Sequence, residues 1–370
     1  MIYLDYQATT PMAPEARDAM LPYLDRDFGN PHSIHRMGRV ARAAVEVARD
    51  RIVQTLFSEA GPSGKLIFTS GATEALNLAI KGSRPRRIVT IATEHAAVLD
   101  TASWLAGQGA ELVILPVDRE GLVDLDEAAR AITPGTSLVA AMLVNNEIGV
   151  IQPIVELAAL ARKAGALFLC DAVQGFGRVL LPAEACDLIA ISAHKIHGPK
   201  GIGALWIREG VELEPQTHGG GQEMGLRSGT LAPALCAGFG VAAGLMQDNA
   251  SADAAHVLML RDHALAAIGP GWTINGSMTS RYAGNLNLRT PGLDVARLIT
   301  ELREIAISAG SACASGSGRP SHVLAALGLQ PAESRTSIRI GFGRYTSVEE
   351  IDRAMMMIRA AADAQRSFAA

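Results

Sequence analysis

The chain has 370 residues, of which 49% are hydrophobic and 19% are charged, and its formal net charge is −4. One hydrophobic core rarely serves a chain of this length, so we expect two lobes in an ordinary globular protein. The weakly acidic balance offers no electrostatic footprint for nucleic acid or an anionic membrane, and no apolar run approaches the length of a membrane span. The first residues, MIYLDY, lack the basic start and apolar stretch of a signal peptide, which predicts a cytoplasmic location.

Apolar runs of strand length alternate with alanine-rich stretches between about residues 39 and 244. The predicted strands lie near residues 66–68, 87–91, 111–115, 138–144, 166–170 and 188–191. The predicted helices between them include residues 74–81, 97–107, 125–131 and 154–164. This alternation predicts βαβ units and a largely parallel sheet that is covered on both faces.

The composition becomes polar and irregular near residues 249–252, which suggests a domain boundary there. Beyond it, strands at 285–288 and 337–340 and a helix at 295–303 predict a smaller α+β lobe. A final helix is expected over about residues 348–365.

Lys195 follows the predicted strand at 188–191, and glycines and a proline come soon after it, from Gly198 onward. We therefore expect the chain to bring this lysine out of a buried strand into a tight turn. Partial desolvation there lowers the pKa of an amine and leaves it able to form a Schiff base with a carbonyl compound. The alternative is a surface lysine just beyond a strand end.

Asp171 ends another predicted strand, and Gln174 stands three residues later. Ligands of an open α/β sheet gather at the carboxyl ends of its strands, so this position is a candidate for chemistry. The sequence leaves three roles open for the aspartate: a structural acid, an N-cap, or a partner for a cationic heterocycle.

Residues 70–74 follow a strand and open a helix. Backbone N–H groups at such a start, helped by the Thr73 hydroxyl, make a phosphate site, although an ordinary N-cap has the same pattern. His95 follows the next strand, either as a solvated loop residue or as an imidazole that stacks on a planar ligand and moves protons. A glycine-rich loop with two basic side chains occupies residues 218–230 and could simply be flexible.

None of the four cysteines stands in a Cys-x-x-Cys pair, so the sequence predicts neither a metal site nor a disulfide framework. Cys170 and Cys236 lie in stretches typical of a core. Cys313 is surrounded by small residues as far as Arg319. A buried structural thiol is the plain interpretation, but a glycine and serine loop favours a mobile, exposed thiol.

Together these residues supply an amine, a phosphate cradle, an acid for a pyridine nitrogen and an imidazole for stacking. Those are the groups that a protein offers to pyridoxal 5′-phosphate. The sequence shows no Walker A loop, and no Gly-x-Gly-x-x-Gly motif follows the first strand.

A series of segments in order along the chain carries a resemblance to a known family: YLDYQATTP (3–11), FGNP (28–31), FTSGATE (68–74), TEH (93–95), VNNEIG (144–149), HKIHGPKG (194–201), RSGT (227–230) and GSAC (310–313). Over essentially its whole length the chain resembles the class V aminotransferases, and within them the cysteine desulfurases of the NifS/IscS type. The resemblance implies an α/β protein of the pyridoxal-phosphate-dependent transferase fold type I. Its large domain, residues 14–250, would hold a mainly parallel seven-stranded sheet, and a smaller α+β domain would comprise residues 1–13 and 251–370 with the catalytic cysteine loop.

The resemblance also implies roles around the cofactor ring. Lys195 would hold the cofactor as a Schiff base and shuttle the Cα proton of the substrate. Asp171 would pair with the protonated pyridine nitrogen, and Gln174 would hydrogen-bond the ring hydroxyl oxygen. His95 would stack on the ring and act as acid and base.

Further implied contacts concern the phosphate and the substrate. The positions that match the phosphate site are Ala72, Thr73, Ser192 and His194. Thr230 would reach the phosphate in the partner subunit, which implies a homodimer. Asn146 matches a position near the ring and the substrate, and the guanidinium fork of Arg339 suits the substrate carboxylate.

Cys313 indicates which reaction the family member performs. By resemblance, its thiolate attacks the sulfur of L-cysteine, which leaves L-alanine and a persulfide on Cys313 for a sulfur acceptor. An iron–sulfur scaffold protein or a tRNA-thiolation protein is the expected kind of acceptor. The length of the loop after Cys313 favours direct sulfur delivery without an activator protein.

The chain departs from the family pattern at two places. Ala193 stands where many relatives carry glycine, which is expected to be harmless. The sequence ends at Ala370, soon after the final helix, without the longer tail that docks a scaffold protein in iron–sulfur-assembly members, so docking of a scaffold is in doubt.

The competing interpretations are an aminotransferase, or a selenocysteine or cysteine-sulfinate lyase, on the same scaffold. A cofactor-free sulfur carrier or regulatory subunit is the alternative from another class. The presence of Lys195, Asp171, Gln174 and His95 together argues against the latter.

Overall fold

The computed structural model describes residues 1–57, 61–310 and 321–369, with side chains as far as residue 367. Twelve helices are present in these ranges: α1 Pro14–Leu24, α2 Arg36–Leu56, α3 Ala72–Gly82, α4 Ala96–Ala106, α5 Leu125–Ala131, α6 Ile154–Ala164, α7 Pro233–Asp248, α8 Ala250–Ile268, α9 Val295–Glu301, α10 His322–Ala326, α11 Pro331–Ser334 and α12 Val348–Ala369. None of these described helices is both long and apolar enough to cross a membrane.

The strands in the same ranges are short, as is usual where a sheet is buried: β1 Ile2–Tyr3, β2 Gly64–Thr69, β3 Arg87–Ile91, β4 Glu111–Leu115, β5 Leu138–Met142, β6 Leu167–Asp171, β7 Leu188–Ser192, β8 Gly203–Arg208, β9 Thr273–Ile274, β10 Asn285–Arg289, β11 Ile305–Ala306, β12 Ser308–Ala309 and β13 Ser337–Gly341.

A seven-stranded sheet in the order β2-β8-β7-β6-β5-β3-β4 forms the centre of the larger lobe. The neighbouring strands from β7 to β4 pair in parallel, and β8 pairs antiparallel with both β7 and β2. The prediction of a mainly parallel sheet is therefore confirmed. The alternation of strands and helices along the chain explains the parallel pairing. Each helix carries the chain back to the edge of the sheet where the previous strand began, so the next strand runs in the same direction.

Both faces of the sheet are covered at its centre, and the central strand β5 is apolar and buried at every position for that reason. In β5, Leu138 and Ala140 pack in one apolar cluster with residues of α3 and α4. Val139 and Ala141 alternate with them and pack in a second cluster with residues of α2 and α6. Full burial of each leucine-sized side chain stabilises the fold by about 1.5–3 kcal/mol, so the two-residue alternation fixes which helices lie on which face.

The smaller lobe contains an antiparallel sheet in the order β12-β13-β10-β9, against which α8, α9 and α12 are grouped. This confirms the predicted α+β lobe. The chain begins in this lobe, since β1 pairs in parallel with β11 and Asp5 bridges to Gly341. The exact limits of the two domains stay a prediction.

The suggested boundary at residues 249–252 lies at the junction of α7 and α8. Asn249 alone separates α7 from α8, and the residues that follow it are helical. The Asn249 side chain donates to the carbonyl oxygen of Leu245, at 2.9 Å, and ends α7. Alanine at 250 and 252 has high helix propensity, so the chain resumes a helix at once in a new direction.

Candidate active site

A cavity of about 660 Å³ lies at the carboxyl ends of β5, β6 and β7, and β13 of the smaller lobe also contributes to its wall. Strand ends converge there because parallel neighbours finish at the same edge of the sheet. Ten of the residues that the sequence singled out line this cavity: Ala72, Thr73, His95, Asn146, Asp171, Gln174, Ser192, His194, Lys195 and Arg339.

Thr230 and Cys313 complete the set of predicted site residues. Thr230 is exposed and lies outside the lining of the cavity in its own chain. Cys313 falls within residues 311–320, outside the part of the chain that the structure describes.

The cavity wall also includes residues for which no role is predicted from the sequence. Gln7, Ala8 and Thr9 reach it from the N-terminus, and Lys200 and Gly201 come from the turn after Lys195. Their only signal in the sequence was that they belong to segments that carry the family resemblance.

Lys195 lies at the end of a single 3₁₀ turn that follows β7. Its Nζ donates to the main-chain oxygens of Gln7, at 2.6 Å, and Ala8, at 2.7 Å. The N-terminal segment is itself fixed against this turn, because Thr10 N donates to His194 O at 3.0 Å. The predicted emergence of the lysine from a buried strand into a turn is what the structure shows, with its amine held by the N-terminal segment.

His197, two residues beyond the lysine, is buried with φ at 66°, and its Nδ1 lies 2.9 Å from the Pro11 carbonyl oxygen. Burial lowers the pKa of His197 from 6.5 to about 4. Below pH 6.5 the unfolded chain binds a proton at this residue and the folded chain does not. Stability is therefore lost as the pH falls from 6.5 towards 4, by up to about 3 kcal/mol at this residue.

We expect His197→Asn to remove this contribution, because asparagine tolerates positive φ and can still donate to Pro11 O. Urea unfolding at pH 7 and pH 5 should show a pH dependence of the unfolding free energy that is smaller by about 2 kcal/mol than in the wild type. The exposed His32 provides the control, since His32→Asn should keep the wild-type slope. An unchanged slope in His197→Asn would contradict the buried neutral histidine.

One end of the cavity is built to receive an anion. No side chain of the described residues caps the N-terminus of α3, which begins at Ala72 directly after Gly71. Gly203 of β8 lies behind it, and a Cβ there would stand 2.7 Å from the Gly71 main chain, so this close approach requires glycine. The exposed N–H groups and the helix dipole favour a phosphate at this position.

The side chains around this anion site are neutral, cationic or, for one acid, paired with a cation. Burial lowers the pKa of His194 to about 4, with Lys195 and Lys200 acting in the same direction, so its ring is neutral at pH 7. His194 Nδ1 lies 3.1 Å from Thr9 Oγ1. Glu74, the one acid in the first turn of α3, is bound to Arg227 at 2.8 Å and to Ser70 N at 2.6 Å, which partly neutralises its charge.

Asp171 and His95 form the ionisable part of the cavity floor. Burial raises the pKa of Asp171, although the neighbouring His95 and Lys195 oppose this shift. Burial lowers the pKa of His95. His95 also caps α4, because its Nδ1 accepts from Ala97 N at 3.1 Å, so the neutral ring carries its proton on Nε2.

Arg339 is fully buried on β13, and it enters the cavity from the smaller lobe. Its Nη2 pairs with Asp5 Oδ1 at 2.7 Å, and its Nη1 donates to Asn146 O at 3.0 Å. Its Nε is a buried donor without an acceptor among the described residues. The guanidinium is thus held in place by two partners at the cavity wall, and a fixed cation of this kind suits a carboxylate.

The described chain adjoins this site on both sides of residues 311–320. Ser308 is paired with Arg339 in the sheet register. Ser321 donates from Oγ to Glu147, the residue after Asn146, at 2.5 Å. Residues 308 and 321 thus flank Cys313 in the sequence, and each contacts a cavity residue or the neighbour of one.

This set of groups fits pyridoxal 5′-phosphate. An uncapped helix start suits its phosphate, and a buried carboxylate is stabilised by a protonated pyridine nitrogen. Lys195 offers an amine for its aldehyde, and the His95 ring offers a planar surface for stacking.

Comparison with known proteins agrees with this assignment. The model of the family Aminotransferase class-V matches residues 2–354. Cysteine desulfurase IscS of Rickettsia bellii is 45% identical over 371 residues, which cover 96% of this chain and 90% of that protein. Cysteine desulfurase IscS of Rickettsia rickettsii is 42% identical over 380 residues, covering 99% and 92%.

Solved structures give the same result. A NifS-like protein superposes with a TM-score of 0.90 at 32% identity, over 98% of this chain and 99% of that one. A NifS-like protein from Rickettsia africae has a TM-score of 0.88 at 30% identity, over 98% and 99%. A structure of SspA in complex with cysteine has a TM-score of 0.83 at 33% identity, over 94% and 100%. The chain therefore belongs to the class V aminotransferase family, whose cofactor is pyridoxal 5′-phosphate.

Proposed function

We propose that this protein is a cysteine desulfurase that converts L-cysteine into L-alanine and passes the sulfur to its own Cys313. The observation that carries the proposal is the cavity that joins Lys195, Asp171 and the uncapped start of α3. It occurs in a chain that is 45% identical to a cysteine desulfurase over nearly its whole length.

The cofactor would be held at three points. Ala72, Thr73, Ser192 and His194 would bind its phosphate. Asp171 would keep the pyridine nitrogen protonated, and Gln174 would donate to the ring hydroxyl oxygen. When bound, pyridoxal 5′-phosphate supplies the electron sink that stabilises negative charge at the substrate Cα. Contact with the His95 ring would fix the plane of the cofactor.

The substrate is oriented by its carboxylate. Arg339 supplies the cation, and Asn146, whose main-chain oxygen it contacts, lies beside it. Lys195 Nζ is the base that removes the Cα proton and later returns it. The same amine performs both steps, so it has to stay close to the substrate Cα. Its hydrogen bonds to Gln7 O and Ala8 O hold it in the cavity.

Sulfur transfer is assigned to Cys313. Its thiolate forms a bond to the substrate sulfur while the bond between that sulfur and Cβ breaks. The electron pair stays with the three-carbon fragment, which takes up protons and leaves as alanine. The balance is one L-cysteine and one thiol in, one L-alanine and one persulfide out.

A second copy of the chain is part of the proposal. Leu24, Phe28 and Ile34 are 65%, 72% and 89% exposed, and a partner subunit that covered them would remove this apolar surface from water. The exposed position of Thr230, away from its own cavity, agrees with a role in a partner's site. A purified protein that sediments as a monomer would contradict this homodimer.

The proposed setting is the cytoplasm, with an iron–sulfur scaffold or tRNA-thiolation protein as acceptor.

The test is a product assay with purified protein loaded with pyridoxal 5′-phosphate. We expect a yellow protein that forms alanine from L-cysteine and releases sulfide when a thiol reductant is present. L-Selenocysteine and L-cysteine sulfinate, assayed in parallel, distinguish a desulfurase from the related lyases. A protein that transfers the amino group to a keto acid and forms no alanine from cysteine would contradict the proposal.

A further inference from the structure

Arg178 follows β6 by seven residues and lies next to the cavity without lining it. Its Nη1 donates to Gln174 Oε1 at 2.9 Å, and its Nη2 donates to the main-chain oxygen of Lys195. One guanidinium therefore joins the side chain of one cavity residue to the main chain of another.

The position of this guanidinium is fixed by its surroundings. It lies over the ring of Tyr282, 5.5 Å from the ring centre, where the face of the aromatic ring attracts a cation. Burial lowers the pKa of Arg178, with Tyr282, Tyr6 and Asp253 opposing the shift. An arginine nevertheless stays protonated in proteins, so it is a donor at every hydrogen-bonding atom.

Because Arg178 only donates, the amide of Gln174 must present its oxygen to the guanidinium. The amide nitrogen is then directed the other way, and it donates to Gln7 O at 2.8 Å. Gln7 O also receives Lys195 Nζ. The four residues form a closed set of hydrogen bonds, in which reversing the Gln174 amide would place two donors against each other on one side and two acceptors on the other.

We propose that Arg178 is a positioning residue, which orients the Gln174 amide so that its nitrogen, with one N–H on Gln7 O, directs the other N–H towards the cofactor ring oxygen, and which holds the main chain of Lys195 in register with it. The inference rests on the proposed function, since the orientation matters only when the cofactor occupies the cavity. Arg178 touches neither cofactor nor substrate and acts through these two residues.

The experiment replaces Arg178 by methionine, which has similar length and no donor, and measures two properties of the loaded enzyme. We expect the visible absorption maximum of the bound cofactor to move, because the ring oxygen loses a fixed donor. We expect kcat for alanine formation to fall about 10- to 100-fold, as is typical when a catalytic group is displaced by about 1 Å. Arg178→Lys, which can reach only one of the two acceptors at a time, should give an intermediate result.

Arg208 provides a matched control. It is also partly buried, donates to main-chain oxygens of Glu184 and Cys186, and lies 5.7 Å from the ring centre of Trp206. It stands at the far end of β8, opposite Asp187 and away from the cavity. Arg208→Met should therefore leave the absorption maximum and kcat as in the wild type, even where it lowers the melting temperature.

The possible outcomes distinguish a failure of the proposed function from a failure of the role proposed for Arg178. If the wild-type protein takes up no pyridoxal 5′-phosphate, the proposed function is overturned, and this inference with it. If the wild type is yellow and Arg178→Met has the same spectrum and kcat, this inference alone is overturned. Should Arg178→Met fail to fold, Arg178→Lys decides: a shifted band supports the positioning role, and a wild-type band with wild-type kcat overturns it.

Discussion

Replacing Lys195 by alanine is expected to lower the rate of alanine formation from L-cysteine by about 10³-fold or more. The Nζ of this residue is the only atom to which the proposal assigns removal and return of the Cα proton, and proton transfer by a positioned side chain contributes about 10²–10⁴-fold. Loss of the covalent link to the cofactor adds to the effect. Quantifying alanine by chromatography in initial-rate assays gives the measurement.

The phosphate site at α3 does not involve the lysine amine, so Lys195→Ala should still bind the cofactor, without a bond to the protein. Lys163→Ala, at an exposed position of α6, is the control and should match the wild type. If Lys195→Ala retained a tenth of the wild-type rate, another base would have to perform the proton transfer.

Cys313→Ser is expected to abolish sulfide release and persulfide formation, to below about one thousandth of the wild-type rate, while the yellow colour of the loaded enzyme is unchanged. A serine hydroxyl is almost fully protonated at pH 7 and is a weak nucleophile, whereas a cysteine has a reactive thiolate fraction. The colour is retained because the cofactor contacts proposed above do not include this residue. Absorption spectra and sulfide assays on the same preparation measure both effects.

Another cysteine supplies the comparison for this variant. Cys236 is buried in α7, and burial raises its pKa to about 12, so it has almost no thiolate at neutral pH. Cys236→Ala should therefore remain active. Wild-type sulfide release by Cys313→Ser would contradict the assignment of the persulfide to Cys313.

Much of the site could be predicted because ionisable residues lie at or just after the ends of predicted strands in this sequence. Asp171 is the last residue of β6, and Lys195 follows β7 by one turn. Apolar strand-length runs identify those ends without any knowledge of tertiary contacts. The composition near residues 249–252 indicated a change in the chain but not its form, which is a single asparagine between two helices.

Other features could not be predicted from local pattern. Arg178 has no unusual sequence context, and its importance appears only when Gln174 Oε1 and Lys195 O are found at the same guanidinium. Arg339 was assigned to a substrate carboxylate from its residue type alone. The structure adds Asp5, which is 334 positions away and holds its Nη2.

The order of residues along the chain was sufficient to predict the sheet, the lysine turn and a helix that starts near Ala72, and the resemblance to a family indicated the cofactor and the reaction. These follow from hydrophobic periodicity and from residues close together in the chain. The hydrogen bonds from the Lys195 amine to the main-chain oxygens of Gln7 and Ala8 appear only in the folded chain, because Gln7 is separated from the lysine by 188 positions. Every residue has a main-chain carbonyl, so a sequence does not show which carbonyl oxygen accepts a hydrogen bond from a given side chain. The packing of the two lobes determines it.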